Sequence, residues 1–129
     1  MNYQFEREPE SGLIIVSVEI DGKYDLKMVL DTGATNTTID SNALYLLGYD
    51  LRDNIGIVEI ETANGIIETE IFEIQSFSSL GITKQDFQIQ VYDFLAHGIF
   101  SDYNGLLGLD FLAGIKFCID TRENTITLP

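Results

Sequence analysis

The residues best suited to chemistry are Asp31, Thr32, Gly33 and Ala34, which directly follow the largely apolar residues 26–30. A carboxylate at the end of a buried strand needs hydrogen-bond donors in place of water. Thr32 offers a hydroxyl, Gly33 an amide that a ligand can approach closely, and Ala34 little bulk. The motif occurs once in 129 residues. Because it also fits an ordinary acidic turn after a strand, the rest of the sequence must decide between these interpretations.

The sequence contains few residues that would favour other catalytic or metal-binding sites. His97 is the only histidine, which excludes a multi-histidine metal site, and no Gly-x-Ser-x-Gly motif accompanies it. We interpret His97 as a loop residue without a special role. No phosphate-binding glycine loop, zinc-ligand spacing or dinucleotide fingerprint is present, so we expect no cofactor and no metal. Cys118 is the only cysteine, and its apolar neighbours predict a buried structural thiol.

Length and charge set the class of protein. A chain of 129 residues with 45% apolar content fits one domain, which we place at 13–129 after an N-terminal segment, 1–12. Seven basic and 21 acidic residues give a formal charge of −14, which argues against nucleic acid and anionic membranes as partners. The first twelve residues carry charges where a signal peptide is apolar, and no run is long enough to span a membrane. We therefore expect a soluble, cytoplasmic protein.

Strand patterns dominate the chain. Alternating residues, β-branched residues and turn signals predict strands at 13–20, 24–31, 56–63, 66–73, 85–94, 116–120 and 125–128. Short helices are expected at 41–47, capped by Asp40 or Ser41, and at 109–113. This pattern predicts an all-β fold, a small closed barrel with one or two short helices.

A hairpin is predicted at Asn64-Gly65, the strongest two-residue turn signal in the sequence. With these two residues as the turn, Glu61 lies opposite Glu68 and Glu59 opposite Glu70. The four carboxylates then share one solvent-facing side, where directly opposed like charges are unfavourable. The other, mostly apolar side is expected to face a cleft or the barrel.

Four features in order now suggest a family. They are the strand ending in Asp31-Thr32-Gly33-Ala34, the hairpin at Asn64-Gly65, the apolar segment Leu106-Leu107-Gly108, and a last strand pair. Over residues 13–128 this arrangement resembles the retropepsin-like aspartic proteases, in particular the single-domain, homodimeric members. Because Leu109 and Asp110 follow the last glycine, where many viral members carry an arginine, the chain looks more like cellular and bacterial relatives.

The resemblance implies roles for specific residues. It implies that Asp31, Thr32 and Gly33 are catalytic, and that Leu106-Leu107-Gly108 packs beside the catalytic loop. The implied substrate-binding residues lie in that loop and in a flap over the substrate: Ala34, Thr35, Asn36, Thr62, Ala63, Asn64 and Gly65. Many viral members carry two acids where this chain has Thr35 and Asn36, so substrate anchoring is expected to differ. We interpret Asp110 as a capping or dimer-contact residue.

The implied chemistry requires a second carboxylate. In metal-free peptide hydrolysis one carboxyl takes a proton from water while another group protonates the carbonyl oxygen. Asp-Thr-Gly occurs once, and Asp120-Thr121 is followed by Arg122, so one chain carries half a site. A two-fold symmetric homodimer acting on peptides or unfolded proteins would complete it. A catalytically inactive peptide-binding or dimerisation domain with the same fold remains the alternative.

Overall fold

Short strands account for most of the regular structure. The computed structural model describes residues 1–63, 65–97 and 102–129. In this part of the chain the strands are β1 (Asn2–Gln4), β2 (Glu6–Arg7), β3 (Ile14–Ile20), β4 (Tyr24–Leu30), β5 (Thr38–Asp40), β6 (Gly56–Thr62), β7 (Gly65–Ser79), β8 (Ile82–Tyr92), β9 (Gly105–Leu107), β10 (Cys118–Asp120) and β11 (Thr125–Thr127). Each strand expected from the sequence is present, and β1, β2, β5 and β9 are additional.

The helices are few and short. Helix α1 (Ser41–Leu46) begins after Asp40, whose carboxylate accepts a hydrogen bond from the Asn42 amide, and 3-10 helices cover Leu51–Asp53 and Leu95–His97. The prediction of a helix at 109–113 was wrong, because this stretch is a run of turns. The Asp110 carboxylate binds the next backbone amide at 2.9 Å and so competes with helical bonding. No helix in the described residues is long and apolar enough to cross a membrane.

Strand β9 brings distant parts of the chain together. It lies between β4, to which it is parallel, and β5, to which it is antiparallel. Leu30 therefore pairs with Leu107, and the end of β4 lies beside the end of β9. The approach of β9 to β5 requires Gly105, because a Cβ atom there would lie 2.1 Å from the Thr38 carbonyl oxygen. This arrangement places the loop after β4 against the segment after β9.

The main sheet curls into a ring. Its order is β2-β3-β4-β9-β5-β8-β7-β6, and β7 pairs back onto β3 at Glu19↔Ser78 and Ile20↔Phe77. Six strands, β3, β4, β9, β5, β8 and β7, thus form a ring-like sheet, which confirms the predicted all-β architecture. A second sheet, β1-β11-β10, joins residues near both ends of the chain.

The core lies inside this ring. Along β3 the buried residues Val16, Val18 and Ile20 alternate with the exposed Ser17 and Glu19, as expected for a sheet with one solvated face, and Ile15 is buried as well. The largest fully buried side chains include Phe77 and Phe111, whose ring centroids are 5.3 Å apart. Because Phe111 lies within the run of turns after β9, this aromatic contact anchors that segment to the core.

The register of the β6–β7 hairpin differs from the expected one. Thr62 pairs with Gly65 and Glu59 with Glu68, whereas Glu61 lies opposite Ile66. The pairing is shifted by two residues because Gly65, at φ +119°, is the first residue of β7. Such a shift keeps each side chain on its face but leaves one directly opposed glutamate pair where two were expected. Asn64 lies outside the described residues.

Cys118 is exposed, so the expectation of a buried thiol was wrong. It lies on β10, the edge strand of the small sheet, beside the half-buried Ile119. Because alternate residues of a strand point to opposite faces, burying Ile119 turns Cys118 outward.

Candidate active site

Asp31 follows the last residue of β4 and is fixed at both its backbone and its side chain. Its N–H donates to the Leu107 carbonyl at 3.0 Å, and its own carbonyl accepts from the Ala34 amide at 3.1 Å. The Gly33 amide donates to Asp31 Oδ1 at 2.9 Å. A Cβ atom at Gly33 would lie 3.2 Å from that oxygen, so glycine allows this approach. Asp31 as a whole residue is half-buried, and Thr32 and Gly33 are exposed.

The segment after β9 holds the loop that follows Asp31. The Leu109 amide donates to the Ala34 carbonyl at 2.8 Å, and the Asp110 amide donates to the Thr35 carbonyl at 3.2 Å. Gly108 is buried against this loop, where a Cβ atom would lie 2.7 Å from the Asn36 carbonyl carbon. The prediction that Leu106-Leu107-Gly108 packs beside this loop is therefore confirmed.

A buried hydrogen-bond network locks the two segments together. The Thr37 hydroxyl donates to Asp110 Oδ1 at 2.7 Å and accepts from the Gly108 amide at 3.1 Å. The Thr37 amide donates to the same carboxylate at 3.0 Å. Thr37 is fully buried. Asp110 thus binds the Asp31 loop directly, a contact that sequence reasoning missed because the two residues are 73 positions apart.

Lys84 supports this network from the core side. Its Nζ donates to the Asp110 carbonyl at 3.2 Å. The same ammonium group lies 5.4 Å from the ring centroid of Phe111 and 5.7 Å from that of Phe87, within cation–π range. The turn after β9 is therefore held by contacts on both its sides.

A cavity of about 300 Å³ lies between this loop and the β6 strand. The predicted substrate-binding residues Ala34, Thr35 and Asn36 form one side of it. Ile60 and Glu61 line it from β6, and the sheet contributes Thr38, Gln90, Tyr92 and Leu106. Glu61 borders the cavity near the end of β6 and is exposed. Because neighbouring residues of a strand point to opposite faces, its side chain lies on the face opposite to that of Ile60.

The predicted substrate-binding residues of the hairpin lie closer to its turn than Ile60 and Glu61 do. Thr62 is the last residue of β6, and Ala63 and Gly65 are exposed without lining the cavity. Asn64, also predicted to bind substrate, lies outside the described residues. The structure thus joins Ala34, Thr35 and Asn36 to the hairpin through Ile60 and Glu61, which the sequence had not singled out.

The described residues around the cavity include one acidic residue. This is Glu61, accompanied by the neutral amides of Asn36 and Gln90. Burial and the nearby Asp40 raise the pKa of Tyr92, which therefore stays neutral near neutral pH. Among the described residues no group of three or more His, Cys, Asp and Glu side chains could hold a metal ion.

Comparison with known proteins agrees with this architecture. Residues 16–111 match the family model described as aspartyl protease. No curated protein matches the chain in sequence. Among solved structures, the chain is similar to a retropepsin-like aspartic protease from Rickettsia conorii, with a TM-score of 0.71 and 22% identity over 99% of this chain and 89% of that chain. At this identity the similarity concerns the fold, and it confirms the predicted retropepsin-like architecture.

Proposed function

The chain belongs to the aspartyl protease family, and from this premise we propose that it is a homodimeric aspartic endopeptidase whose catalytic pair is Asp31 and the partner's Asp31. The observation that carries the proposal is the fixation of Asp31 on a loop whose residues Ala34, Thr35 and Asn36 line a cavity. The carboxyl group is held by the Gly33 amide, and its loop is bound by the segment after β9. A carboxylate on such a supported loop has the preorganisation that acid–base catalysis needs.

Dimerisation is proposed because one chain supplies one such carboxylate. The Asp-Thr-Gly motif occurs once in the sequence. In a two-fold symmetric dimer, a residue near the axis meets its own copy, so a single motif provides both carboxyls. The exposure of Thr32 and Gly33 leaves these residues accessible to a second copy.

The proposed reaction follows from two carboxyls that share one proton, since close like charges disfavour double ionisation. The ionised member takes a proton from a water molecule, whose oxygen attacks the peptide carbonyl carbon. The protonated member donates its proton to the carbonyl oxygen, which gives a tetrahedral diol. When the diol collapses, a proton passes to the amide nitrogen, the C–N bond breaks, and a carboxylic acid and an amine leave.

The substrate is proposed to bind as an extended peptide between the Asp31 loop and the β6–β7 hairpin, which would act as a flap. An extended peptide satisfies its backbone by hydrogen bonds along strand edges and places alternate side chains in pockets. Ala34, Thr35 and Asn36 line the cavity that would receive one such side chain. Thr62, Ala63, Asn64 and Gly65 are proposed to cover the peptide.

The proposal is tested with Asp31→Asn, which removes the ionisable group but keeps the side-chain shape. The wild-type protein should cleave unfolded peptides in mildly acidic buffer, about pH 5, whereas Asp31→Asn should form the same dimer in sedimentation analysis and cleave nothing. Asp25→Asn is the matched control, because Asp25 is exposed on the same strand, and it should retain cleavage. Wild-type activity in Asp31→Asn, or a cleaving protein that stays monomeric, would refute the proposal.

A further inference from the structure

We propose that the cavity between the Asp31 loop and β6 selects a carboxamide side chain of the substrate, glutamine or asparagine, with Gln90 and Asn36 as the specificity-determining residues. The inference rests on the proposed peptide-cleaving function and names the substrate class for that site. It is carried by the side-chain amides and hydroxyls of the cavity wall, which are neutral and can both donate and accept hydrogen bonds.

Strand register turns the Gln90 side chain toward the cavity. Thr38 pairs with Gln90 on one side and with Leu106 on the other, so these three side chains share one face of the sheet. The residue that follows each of them is buried in the core: Ile39, Val91 and Leu107. Because alternate residues of a strand point to opposite faces, the face of Gln90 points away from the core. Gln90, Thr38 and Leu106 all line the cavity on this face.

The two amides on the wall are open to a ligand. Asn36 is exposed and Gln90 is half-buried, and each side chain offers an NH₂ donor and a carbonyl acceptor. In the described part of the chain no hydrogen bond to another residue occupies either side-chain amide. Thr38 adds a hydroxyl whose bond to the Asn36 backbone carbonyl is long, at 3.4 Å. A side chain that both donates and accepts hydrogen bonds can therefore pair with this wall.

A buried hydroxyl lies on the same face of the sheet. Thr69 is 2% exposed, and its hydroxyl lacks a hydrogen-bond partner among the described residues. On β7 it lies between Ile67 and Ile71, which pair directly with the cavity residues Ile60 and Gln90. A buried hydroxyl is satisfied by water or by a polar ligand group, so this face favours a hydrated, polar occupant over an apolar one.

The wall offers no partner to a charged side chain. No described lysine, arginine or histidine lines the cavity, and the formal charge of −14 repels a substrate carboxylate. Glu61 borders the cavity, but it lies on the face of β6 opposite to Ile60. The cavity face therefore provides no carboxylate for an ion pair with a lysine or arginine of the substrate.

Glutamine matches both parts of the wall. Ile60 and Leu106 supply apolar surface that can pack against its methylene groups, and a volume of about 300 Å³ accommodates the side chain. Its carboxamide can donate to and accept from the Gln90 amide at the same time. An apolar side chain of the same length would take that amide out of water without a partner, which weakens binding.

The test uses octapeptides with one cleavable bond, in which each position in turn carries glutamine, methionine or glutamate, three side chains of similar length. For the wild-type protein, kcat/KM should be about tenfold higher for glutamine than for methionine at one position or at its symmetry-related counterpart. Because both side chains are neutral, the net charge of the protein does not contribute to this ratio. Glutamate at that position should be cleaved more slowly than glutamine.

Variants of the wall assign the preference to named residues. Gln90→Met keeps the length of the side chain and should bring the glutamine-to-methionine ratio close to one, and Asn36→Leu should lower the ratio. Gln90→Lys places a cation on the wall and should favour glutamate. Gln88→Met is the matched control, because Gln88 is exposed on the same face of β8 but does not line the cavity, and it should preserve the ratio.

Two outcomes would overturn the inference. One is a glutamine-to-methionine ratio near one at every position, and the other is an equal change of the ratio in Gln88→Met and Gln90→Met. Peptide binding by the Asp31→Asn protein, measured by fluorescence anisotropy with and without Gln90→Met, separates this result from failure of the proposed function. A Gln90-dependent preference for binding glutamine peptides, without any wild-type cleavage, would refute the endopeptidase and support the subsite.

Discussion

Replacing Thr37 by valine should destabilise the protein by removing the hydroxyl that joins the Asp31 loop to the segment after β9. The hydroxyl donates to Asp110 at 2.7 Å and accepts from the Gly108 amide at 3.1 Å. Valine has nearly the same shape, so packing is preserved while both hydrogen bonds are lost. Because Thr37 is fully buried, water cannot replace them without opening the loop.

The size of the destabilisation by Thr37→Val follows from the two groups that lose their partner, the Asp110 carboxylate and the Gly108 amide. A hydrogen bond to a charged group contributes about 1.5–3 kcal/mol, and a buried N–H without an acceptor costs about 1–3 kcal/mol. The Asp110 carboxylate keeps its bonds from the Thr37 and Phe111 amides, which limits the first loss. We therefore expect a decrease of about 3 kcal/mol in the free energy of unfolding, a large part of the typical stability of a domain.

Urea unfolding followed by circular dichroism measures this change, at fixed pH and protein concentration because dimerisation would shift the midpoint. Thr38→Val is the matched control, since the buried Thr38 hydroxyl makes one long hydrogen bond of 3.4 Å to the Asn36 carbonyl. Thr38→Val should lower the free energy of unfolding by less than about 1 kcal/mol. Equal losses in the two variants would refute the assignment of a special role to the Thr37–Asp110 contact.

Three further predictions concern single residues. Gly108→Ala should lower the free energy of unfolding by about 3 kcal/mol or more, because the added Cβ atom would lie within 3 Å of backbone atoms of Ala34 and Asn36. Gly56→Ala has open space and should change the urea midpoint little. Burial and the hydrogen bond to Asp21 raise the pKa of the Tyr49 hydroxyl in the folded protein. The stability that this group contributes is therefore fully present below its pKa in the unfolded chain, about 10, and is lost as pH rises above that value. Tyr49→Phe should weaken this alkaline loss of stability in urea titrations at increasing pH, and an unchanged loss would contradict the assignment. Thr69→Val should raise stability by about 1 kcal/mol in urea unfolding, because it removes a buried hydroxyl without a partner in the described residues; a loss of stability would show that the hydroxyl is satisfied.

Local sequence patterns were sufficient for the longer strands of the ring, β3, β4, β7 and β8, but not for the three-residue strands β5 and β9. The β3–β4 hairpin follows from alternating burial and from Asp21 and Gly22, which adopt the positive φ angles that its turn requires. The motif at Asp31 and the apolar segment before Gly108 were recognisable for the same reason, since each is contiguous in the chain. Their adjacency, produced by β9 between β4 and β5, agrees with the fold that the resemblance implied.

Features that depend on long-range contacts were not predictable in this way. The hairpin register was missed because a shift of two residues leaves the pattern of inward and outward side chains unchanged. The Thr37–Asp110 contact was missed because neither residue carries a local signal for a partner 73 positions away. The approach of the end of β6 to the cavity was missed, because nothing in the sequence states which part of β6 lies near the Asp31 loop.

Positioning of Asp31 and choice of substrate depend on different kinds of contact, and this separates their mutational effects. Thr37 and Gly108 are buried and act on the loop that carries Asp31, so changes there should lower stability and reduce cleavage of all peptides in similar proportion. Asn36 is exposed and lines the cavity proposed to receive a substrate side chain, so its replacement should change the ratio between cleavage rates of different peptides. A Thr37→Val protein with an altered ratio between cleavage rates of different peptides but unaltered stability would contradict this division.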